Sequence, residues 1–328
     1  MHLAPLTDTF YRRHDYLRIS LTDACNLRCT YCMPNEKMQV TPSSKLMQAE
    51  EIKRIAAIFV ELGVKKIRLT GGEPLLRKDV RKILQLLAML PVELAISTNA
   101  VLVDEYIADL KSANIASVNV SLDTLNAEEF FAITKRNDFG KILSNIHLLL
   151  SNGFKVKINM VVMKDINTHA ILDFIEWTKE FPLEVRFIEF MPFKGNGWQQ
   201  DVVFPTIDAL KLISTKYDYV KLEDRAESTS RNYKVIGHKG SFGFISTITE
   251  PFCDSCNRLR LTADGKMKNC LFDRGETDLL TALRKGEDIL PLIQKSVQNK
   301  KLQRGGLFDS MNEAAAFNEN RSMISIGG

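Results

Sequence analysis

The six cysteines of the chain fall into two groups of three, and they are the residues best suited to chemistry. Cys25, Cys29 and Cys32 have three and then two residues between them, in a short segment just after the apolar stretch Tyr16 to Leu21. Three thiolates can ligate three irons of a cubane cluster; with no fourth cysteine nearby, one iron stays open to a small molecule. A structural zinc site is the weaker reading, because zinc takes four ligands in closed geometry and only three are local. Cys253, Cys256 and Cys270 have two and then thirteen residues between them. In isolation that spacing suits either a zinc ribbon lacking one cysteine, with His238 a conceivable fourth ligand, or a second cluster with an open iron. Arg258 and Arg260 shift the balance toward the cluster. They alternate on one face of a strand, Asn257 to Thr262, that begins immediately after Cys256, and a guanidinium fork suits phosphate oxygens and aromatic edges. Read without the cysteines, the pair would be a solvated strand face.

A second motif lies where Lys65 to Thr70, a strand by pattern, runs straight into Gly71-Gly72-Glu73-Pro74. The glycines let backbone approach a ligand, Glu73 offers a carboxylate, and Pro74 stiffens the exit. Both motifs need elements that deliver them to one place. Tyr16 to Leu21 alternates as a strand does, with Leu17, Ile19 and Leu21 on one face and Arg18 on the other, which is the polar interior if the strands close into a barrel. The helical spacing of Ile52, Ile55, Ala56 and Phe59, ended by Gly63, predicts a crossover helix. Further strands are predicted at Glu93 to Ser97, Ser117 to Ser121, Lys155 to Val162 and Glu184 to Met191. Helices fall between them near Val80 to Met89, Glu105 to Ser112, Ile142 to Ser151 and Ile171 to Lys179. Strands separated by helices predict right-handed βαβ units in a parallel barrel or sheet. Chemistry in barrels collects at the C-terminal ends of the strands, where Cys25, Gly72, Glu73, Thr98, Asn99, Ser121 and Asp123 fall. Each of these alone is as readily a turn or cap residue.

A chain of 328 residues is long enough for one barrel with an appendage. Its net charge of +4 is mild for a nucleic-acid binder, so local arginines matter more than the total. No apolar run reaches membrane-spanning length, the N-terminus lacks the blocks of a signal peptide, and cysteines in threes are poor arithmetic for disulfides. The expectation is a cytoplasmic protein with neither membrane nor nucleic acid as partner. Residues 1–14 are polar and unpatterned, and are expected to form a mobile or partner-binding arm. After a helix at Thr206 to Tyr217 the alternation gives way to a charged linker, Lys221 to Arg231, which puts a domain boundary between 1–220 and 221–328. Short strands are expected at Asn232 to Ile236 and Phe242 to Thr247. Helices follow at Asp278 to Leu283 and Ile289 to Gln298, before a polar tail that ends in Gly327-Gly328.

The first cysteine loop, with Tyr31 before its last cysteine and Gly71-Gly72-Glu73-Pro74 downstream, resembles the signature of the radical S-adenosylmethionine (radical SAM) superfamily. With the second triplet, Arg258, Arg260 and the terminal glycines added, nearly the whole chain closely resembles the GTP 3',8-cyclases of molybdenum cofactor biosynthesis. The resemblance implies an α/β fold, an incomplete TIM-type (β/α)6 barrel with a C-terminal iron–sulfur domain. It implies two [4Fe-4S] clusters on the six cysteines, with S-adenosyl-L-methionine (SAM) on the open iron of the first. By the same resemblance SAM contacts fall at Tyr31, Gly72, Ser121 and Met191, and GTP contacts at Arg18, Arg68, Ser97, Lys157 and the Arg258-Leu259-Arg260 segment. Catalytic roles fall to Arg18, Arg258, Arg260, Gly327 and Gly328. The family commonly has threonine where Ser97 stands and glycine where Ala100 stands, so a shifted loop is expected there. Arg186 also alternates inward, on the sixth strand.

The implied reaction is that of a lyase. One electron from the first cluster cleaves SAM to methionine and a 5'-deoxyadenosyl radical, which takes hydrogen from the ribose C3' of GTP; the carbon radical then attacks C8 of guanine. The product is (8S)-3',8-cyclo-7,8-dihydroguanosine 5'-triphosphate. Implied partners are an electron donor of flavodoxin or ferredoxin type, the downstream cyclic pyranopterin monophosphate synthase, and a second copy in a homodimer. Two rivals fit less of the chain. Radical SAM enzymes that modify peptides with an auxiliary cluster generally carry more C-terminal cysteines, and a zinc-ribbon binding protein or electron carrier has no use for the Gly-Gly-Glu-Pro turn or a barrel-sized domain.

Overall fold

Alternating strands and amphipathic helices build six strand–helix units in the computed structural model, which describes residues 4–33, 40–307 and 320–327. The strands β1 (Tyr16–Ser20), β2 (Lys66–Thr70), β3 (Glu93–Thr98), β4 (Ile115–Ser121), β5 (Lys155–Val162) and β6 (Glu184–Glu189) pair in parallel, each with its successor. Between them run α1 (Ala49–Glu61), α2 (Val80–Ala88), α3 (Val103–Ser112), α4 (Ala127–Thr134), α5 (Phe139–Ser151) and α6 (Ala170–Glu180). Leu17, Ile19, Ile67, Val118 and Val120 point to the helices and meet Ile52, Ile55, Phe59, Ile83 and Phe174, all fully buried. Each such side chain contributes roughly 1.5–3 kcal/mol of transfer free energy. Strand alternation then leaves Arg18, Arg68, Ser97, Asn119 and Lys157 on the opposite, lumenal face.

Helix α4 is an element the periodicity did not announce. Asn126 starts it, its side-chain oxygen accepting from the N–H groups of Glu128 and Glu129, the usual way of satisfying orphan donors at a helix start. It ends at Lys135, in left-handed conformation with φ 56°.

The later chain forms α7 (Thr206–Ser214), β7 (Tyr219–Lys221), β8 (Arg231–Val235), β9 (Ser241–Ile245), β10 (Arg258–Leu261), β11 (Lys266–Lys268), β12 (Thr277–Asp278), α8 (Leu279–Arg284) and α9 (Leu290–Gln298). Strand β9 pairs in parallel with β6, and β10 pairs in parallel with β1. One twelve-stranded sheet results, in the order β12-β11-β10-β1-β2-β3-β4-β5-β6-β9-β8-β7. The stretches on either side of residue 220 therefore contribute strands to the same sheet, and the later stretch extends both edges of the incomplete barrel.

Residues 4–14 correct the expectation of a mobile arm. Leu6 is buried in the main core, and Asp8, Arg12 and His14 form a buried network, with Asp8 Oδ2 accepting from Arg12 Nε at 2.6 Å and lying 3.1 Å from His14 Nε2. Arg12 then donates to the carbonyls of Cys253 (2.9 Å), Leu302 (2.7 Å) and Lys301 (2.8 Å). A polar, unpatterned segment is fixed here by a single arginine reaching across the fold. At the other terminus a short helix, Met323–Ile326, brings the chain back into the barrel.

Candidate active site

The chain leaves β1 into the first cysteine loop while Leu21 N–H still bonds Thr70 O. The turn after β2 packs onto that loop so closely that a Cβ on Gly72 would lie 2.4 Å from Ala24 O, and one on Gly71 2.5 Å from Thr22 O. Glycine is required there by backbone contact alone. The far side of the loop hangs on α4, with Arg28 and Thr30 N–H groups donating to Thr134 O and Ile133 O. Cys25, Cys29 and Cys32 together line one cavity of about 170 Å³, with Tyr31, Gly72, Ser97 and Ser121 also in its wall. Beneath it Glu73, fully buried, accepts from Thr98 Oγ1 (2.8 Å), Asn99 N (2.6 Å) and Leu75 N (3.0 Å). Burial still pushes Glu73 up to about 7. Asp123 accepts from Tyr31 OH (2.7 Å) and Val161 N (2.9 Å), and burial pushes it up to about 6.

The second triplet is assembled from further apart. Cys253 and Cys256 share a tight turn, Cys256 N–H bonding Cys253 O at 3.1 Å, while Cys270 follows β11. Lys300, almost wholly buried, donates to Arg258 O at 3.0 Å and lies 3.7 Å from Cys256 Sγ; Arg304 N–H lies 3.3 Å from Cys253 Sγ. The three thiols line a cavity of about 160 Å³ together with Arg18, Arg186, Arg258 and Arg260. Among the described residues no three His, Cys, Asp or Glu side chains converge on a single point as one ion requires. Each cysteine triplet instead rims a cavity, which fits a cubane whose irons are bound by different thiolates.

A third cavity, about 750 Å³, opens at the N-terminal ends of the strands; nine lysines and arginines, among them Arg18, Arg68, Lys157, Arg186 and Arg258, outnumber the six carboxylates in its lining, and Glu184 and Glu93 are taken up by Lys157, Arg186 and Lys66. Its field is read in two groups. Burial acts to raise the Tyr16 phenol, yet Arg68, Arg18 and Lys66 outweigh it and bring it down to about 7. Burial, with repulsion from Arg258 and Arg68, presses Arg18 down to about 10. Like charges crowded into a desolvated space favour an anionic ligand.

The cavities share walls. Ser97, Ser121, Asn159, Ile188 and Met323 border both cysteine cavities, while Arg18, Asn119, Arg186 and Arg258 border both the second cysteine cavity and the cationic one. Most residues singled out from sequence therefore line three adjacent cavities, with differences in detail. Met191 borders the second cysteine cavity, on the opposite side of the shared wall from the first triplet. Leu259 is fully buried in the apolar core, so only its backbone can serve a ligand. Arg68 donates to Tyr16 OH (2.5 Å) and Ile96 O (3.1 Å), and Lys157 and Arg186 share Glu184 at 2.6 and 2.5 Å. Gly327 lies inside the barrel at φ +83°, its carbonyl accepting from Arg260 Nη1 at 2.5 Å; a Cβ there would meet Thr70 Oγ1 at 2.7 Å. Gly328 lies outside the described residues. At Ala100 the backbone takes φ 65°, a conformation that favours the glycine expected there. His238 is corrected: its Nδ1 sits 2.9 Å from Thr178 Oγ1 and its ring stacks edge-on to Tyr217, remote from the cysteine cavity it was considered for.

Three residues escaped the sequence reading. Arg12 and Lys300 carry no local signal, since what they hold lies far along the chain. Asn119 did carry one: Ser117, Asn119 and Ser121 alternate with Val118 and Val120, which marks a polar lumenal face.

Residues 19–178 match the Radical SAM superfamily, and residues 183–305 match Molybdenum Cofactor Synthesis C. The chain is 42% identical over 330 residues to "GTP 3',8-cyclase, mitochondrial" of Arabidopsis thaliana, covering 98% of this chain and 83% of that protein. It is 40% identical over 305 residues to "GTP 3',8-cyclase" of Listeria welshimeri, covering 90% of each. To "Molybdenum cofactor biosynthesis protein 1" of Drosophila melanogaster it is 45% identical over 307 residues, covering 92% of this chain but 54% of that protein; the chain spans about half the length of several such relatives. Among solved structures, Streptococcus suis SuiB bound to S-adenosylmethionine superimposes with a TM-score of 0.63 over 95% of this chain and 77% of that one, at 15% identity. That likeness shows the fold alone.

Proposed function

We propose, from the premise that the chain belongs to the GTP 3',8-cyclase family of radical SAM proteins, that it converts GTP to (8S)-3',8-cyclo-7,8-dihydroguanosine 5'-triphosphate in molybdenum cofactor biosynthesis. The observation that carries this reading is the adjacency of two cysteine-lined cavities and one cationic cavity, each sharing lining residues with the next. Each compartment suits one part of the reaction. The first triplet and the Gly71-Gly72 turn would hold a cluster and SAM, with Tyr31 and Ser121 beside them. The second triplet would hold a cluster facing guanine, and the lysines and arginines would neutralise the triphosphate. When bound, the first cluster and SAM supply a 5'-deoxyadenosyl radical for hydrogen abstraction at the ribose.

The chain's own residues bind and orient. Arg18, Arg68, Lys157, Arg258 and Arg260 fix the nucleotide so that one ribose carbon is presented to the first cavity, the kind of positioning that supplies most of a protein's share in cofactor chemistry. Ser97 lies in the wall between the two reactants. Met191 borders the second cavity, Gly327 sets a backbone carbonyl against Arg260, and Gly327 and Gly328 are assigned catalytic roles with it. The same reading makes the enzyme a cytoplasmic lyase with a barrel over 1–220 and an iron–sulfur domain over 221–328. It works as a homodimer with a flavodoxin- or ferredoxin-type donor and hands its product to cyclic pyranopterin monophosphate synthase. Among the described residues no helix is long and apolar enough to cross a membrane.

The test is anaerobic reconstitution followed by iron, sulfide and zinc analysis, then incubation with GTP, SAM and a chemical reductant. Two four-iron clusters and SAM-dependent formation of the cyclic nucleotide are expected. One cluster with one tightly held zinc, or SAM cleavage without a guanosine product, overturns the reading.

A further inference from the structure

Strand β4 presents three polar residues to the lumen, and they grade from one compartment to the next. Ser117 borders the cationic cavity, Asn119 borders the cationic and second cysteine cavities, and Ser121 borders the two cysteine cavities. Alternate residues on a strand are about 6.6 Å apart, so these three span about 13 Å, the scale of a nucleoside with its first phosphate. Asn119 is 3% exposed, and its Oδ1 has no hydrogen-bond partner among the described residues. The Nε of Arg18, which borders the same two cavities, is likewise buried without a partner. Leaving a buried amide oxygen unpaired is costly, so its presence in the cavity wall points to a donor delivered by a ligand.

Resting on the proposed reaction, we infer that Asn119 reads a ribose hydroxyl of the substrate and makes the site selective for ribonucleotides. A nucleoside triphosphate has phosphates, ribose and base in sequence, and Ser117, Asn119 and Ser121 pass in the same order along β4 from the cationic cavity to the cysteine cavities. With phosphates among the lysines and the base beside the second triplet, the ribose lies at the wall these compartments share. Register puts Ser97, Asn119 and Lys157 side by side on β3, β4 and β5, at that level. At the wall between the cationic and second cysteine cavities, the buried side-chain groups without a partner among the described residues are an acceptor, Asn119 Oδ1, and a donor, Arg18 Nε; Asn159 Oδ1, likewise without one, lies at the wall between the two cysteine cavities. A hydroxyl, which both donates and accepts, is the small group that answers either of them. Lysine ammonium groups and the arginines offer donors only, so none of them can replace the asparagine as acceptor.

The test compares the affinity of the cluster-loaded protein for GTP, 2'-deoxy-GTP and 3'-deoxy-GTP, without SAM, in wild type, Asn119→Leu and Asn119→Ala. In wild type, one deoxy analogue should bind at least ~10-fold more weakly than GTP, because it leaves a buried acceptor unpaired, and which analogue does so identifies the hydroxyl. Both substitutions should bring that ratio to within ~2-fold of one, with iron content and thermal midpoint close to wild type. Equal affinity for all three nucleotides in wild type, or a ratio that survives both substitutions, overturns the assignment. Absence of cyclisation in wild type would instead sink the proposed reaction, and the affinity ratios would remain readable on their own.

Discussion

The two cysteine triplets have neighbours of opposite charge, carboxyl groups beside the first and cations beside the second. Around the first, burial raises the thiols and the nearby carboxyl groups add to it: Cys25 is pushed up to about 11, with Glu73 contributing, and Cys32 to about 12, with Cys25 and Asp123 contributing. Around the second, burial raises Cys270, with Lys300 opposing it, whereas at Cys256 Arg258 and Lys300 outweigh burial and bring the thiol down to about 6. Bound metal enforces the thiolate in both places, so the contrast concerns the field each neighbourhood adds. The first disfavours further negative charge, and its ligand in the proposed reaction, SAM, is a cation at sulfur. At Cys256 the second favours negative charge, and its ligand in the proposed reaction is the guanine end of an anionic nucleotide. The support differs as well. The first loop is held by backbone hydrogen bonds and close backbone packing to β2, the turn after it and α4, whereas the second is held by the buried side chains of Arg12 and Lys300.

The largest effect expected from this contrast is a split between half-reactions. Cys29→Ala should reduce SAM cleavage to background and all GTP conversion with it. Cys256→Ala should retain SAM cleavage, seen as 5'-deoxyadenosine, while cyclic product falls to background. Equal loss of 5'-deoxyadenosine in both variants would break the comparison.

A smaller effect should follow from removing remote support. Arg12→Ala leaves three carbonyls without their donor and Asp8 as a buried, half-partnered carboxylate. Removing one member of a buried pair costs about 3–5 kcal/mol. In a Cys29→Ala background, where iron reports mainly on the second triplet, Arg12→Ala should lose that iron. In a Cys256→Ala background the first triplet should keep its iron. Arg12→Lys should not rescue, since a single ammonium cannot replace a fork that reaches Asp8 and three carbonyls at once. Iron lost equally from both triplets would return Arg12 to a general role in stability.

That second triplet is also where the sequence was hardest to read. The six strands and five of the six intervening helices follow from periodicity, because apolar spacing of 2 or 3.6 is imposed locally by burial. Helix α4 was missed: its interior apolar residues Phe130, Phe131 and Ile133 are bunched rather than spaced, and its decisive feature is the Asn126 cap. The pairing of β9 and β10 with opposite edges of the barrel has no local trace either, since the partners lie far apart in sequence. The same holds for Arg12, whose acceptors at Cys253, Lys301 and Leu302 are more than two hundred residues away. Cysteine and glycine motifs were legible because their chemistry depends on spacing within a few residues; positioning contacts are legible only once the chain is folded.

The smallest expected effect is one of gain, and it tests whether the N-terminal turn serves the second triplet in particular. Tyr11 sits at φ 62° and is 90% exposed, between Phe10 and Arg12, whose N–H groups both donate to Asp8 Oδ1. Its own N–H bonds Asp8 O at 3.1 Å, so the turn cannot relax to another conformation without releasing Asp8. An L-residue held in the left-handed region costs about 1–2 kcal/mol, which glycine avoids. Glycine gives part of this back through the larger entropy of its unfolded chain, about 0.4–1 kcal/mol. The exposed ring contributes little packing to lose. Tyr11→Gly should therefore stabilise the turn by up to about 1 kcal/mol, raising the thermal midpoint by roughly 2 °C in a chain of this size. Because the turn presents Arg12 to the second cysteine loop, the gain should appear as slower chelator extraction of iron from the second triplet, with the first triplet unchanged. A faster extraction from the second triplet, or the same change at both, would show that the turn does not discriminate between the two neighbourhoods.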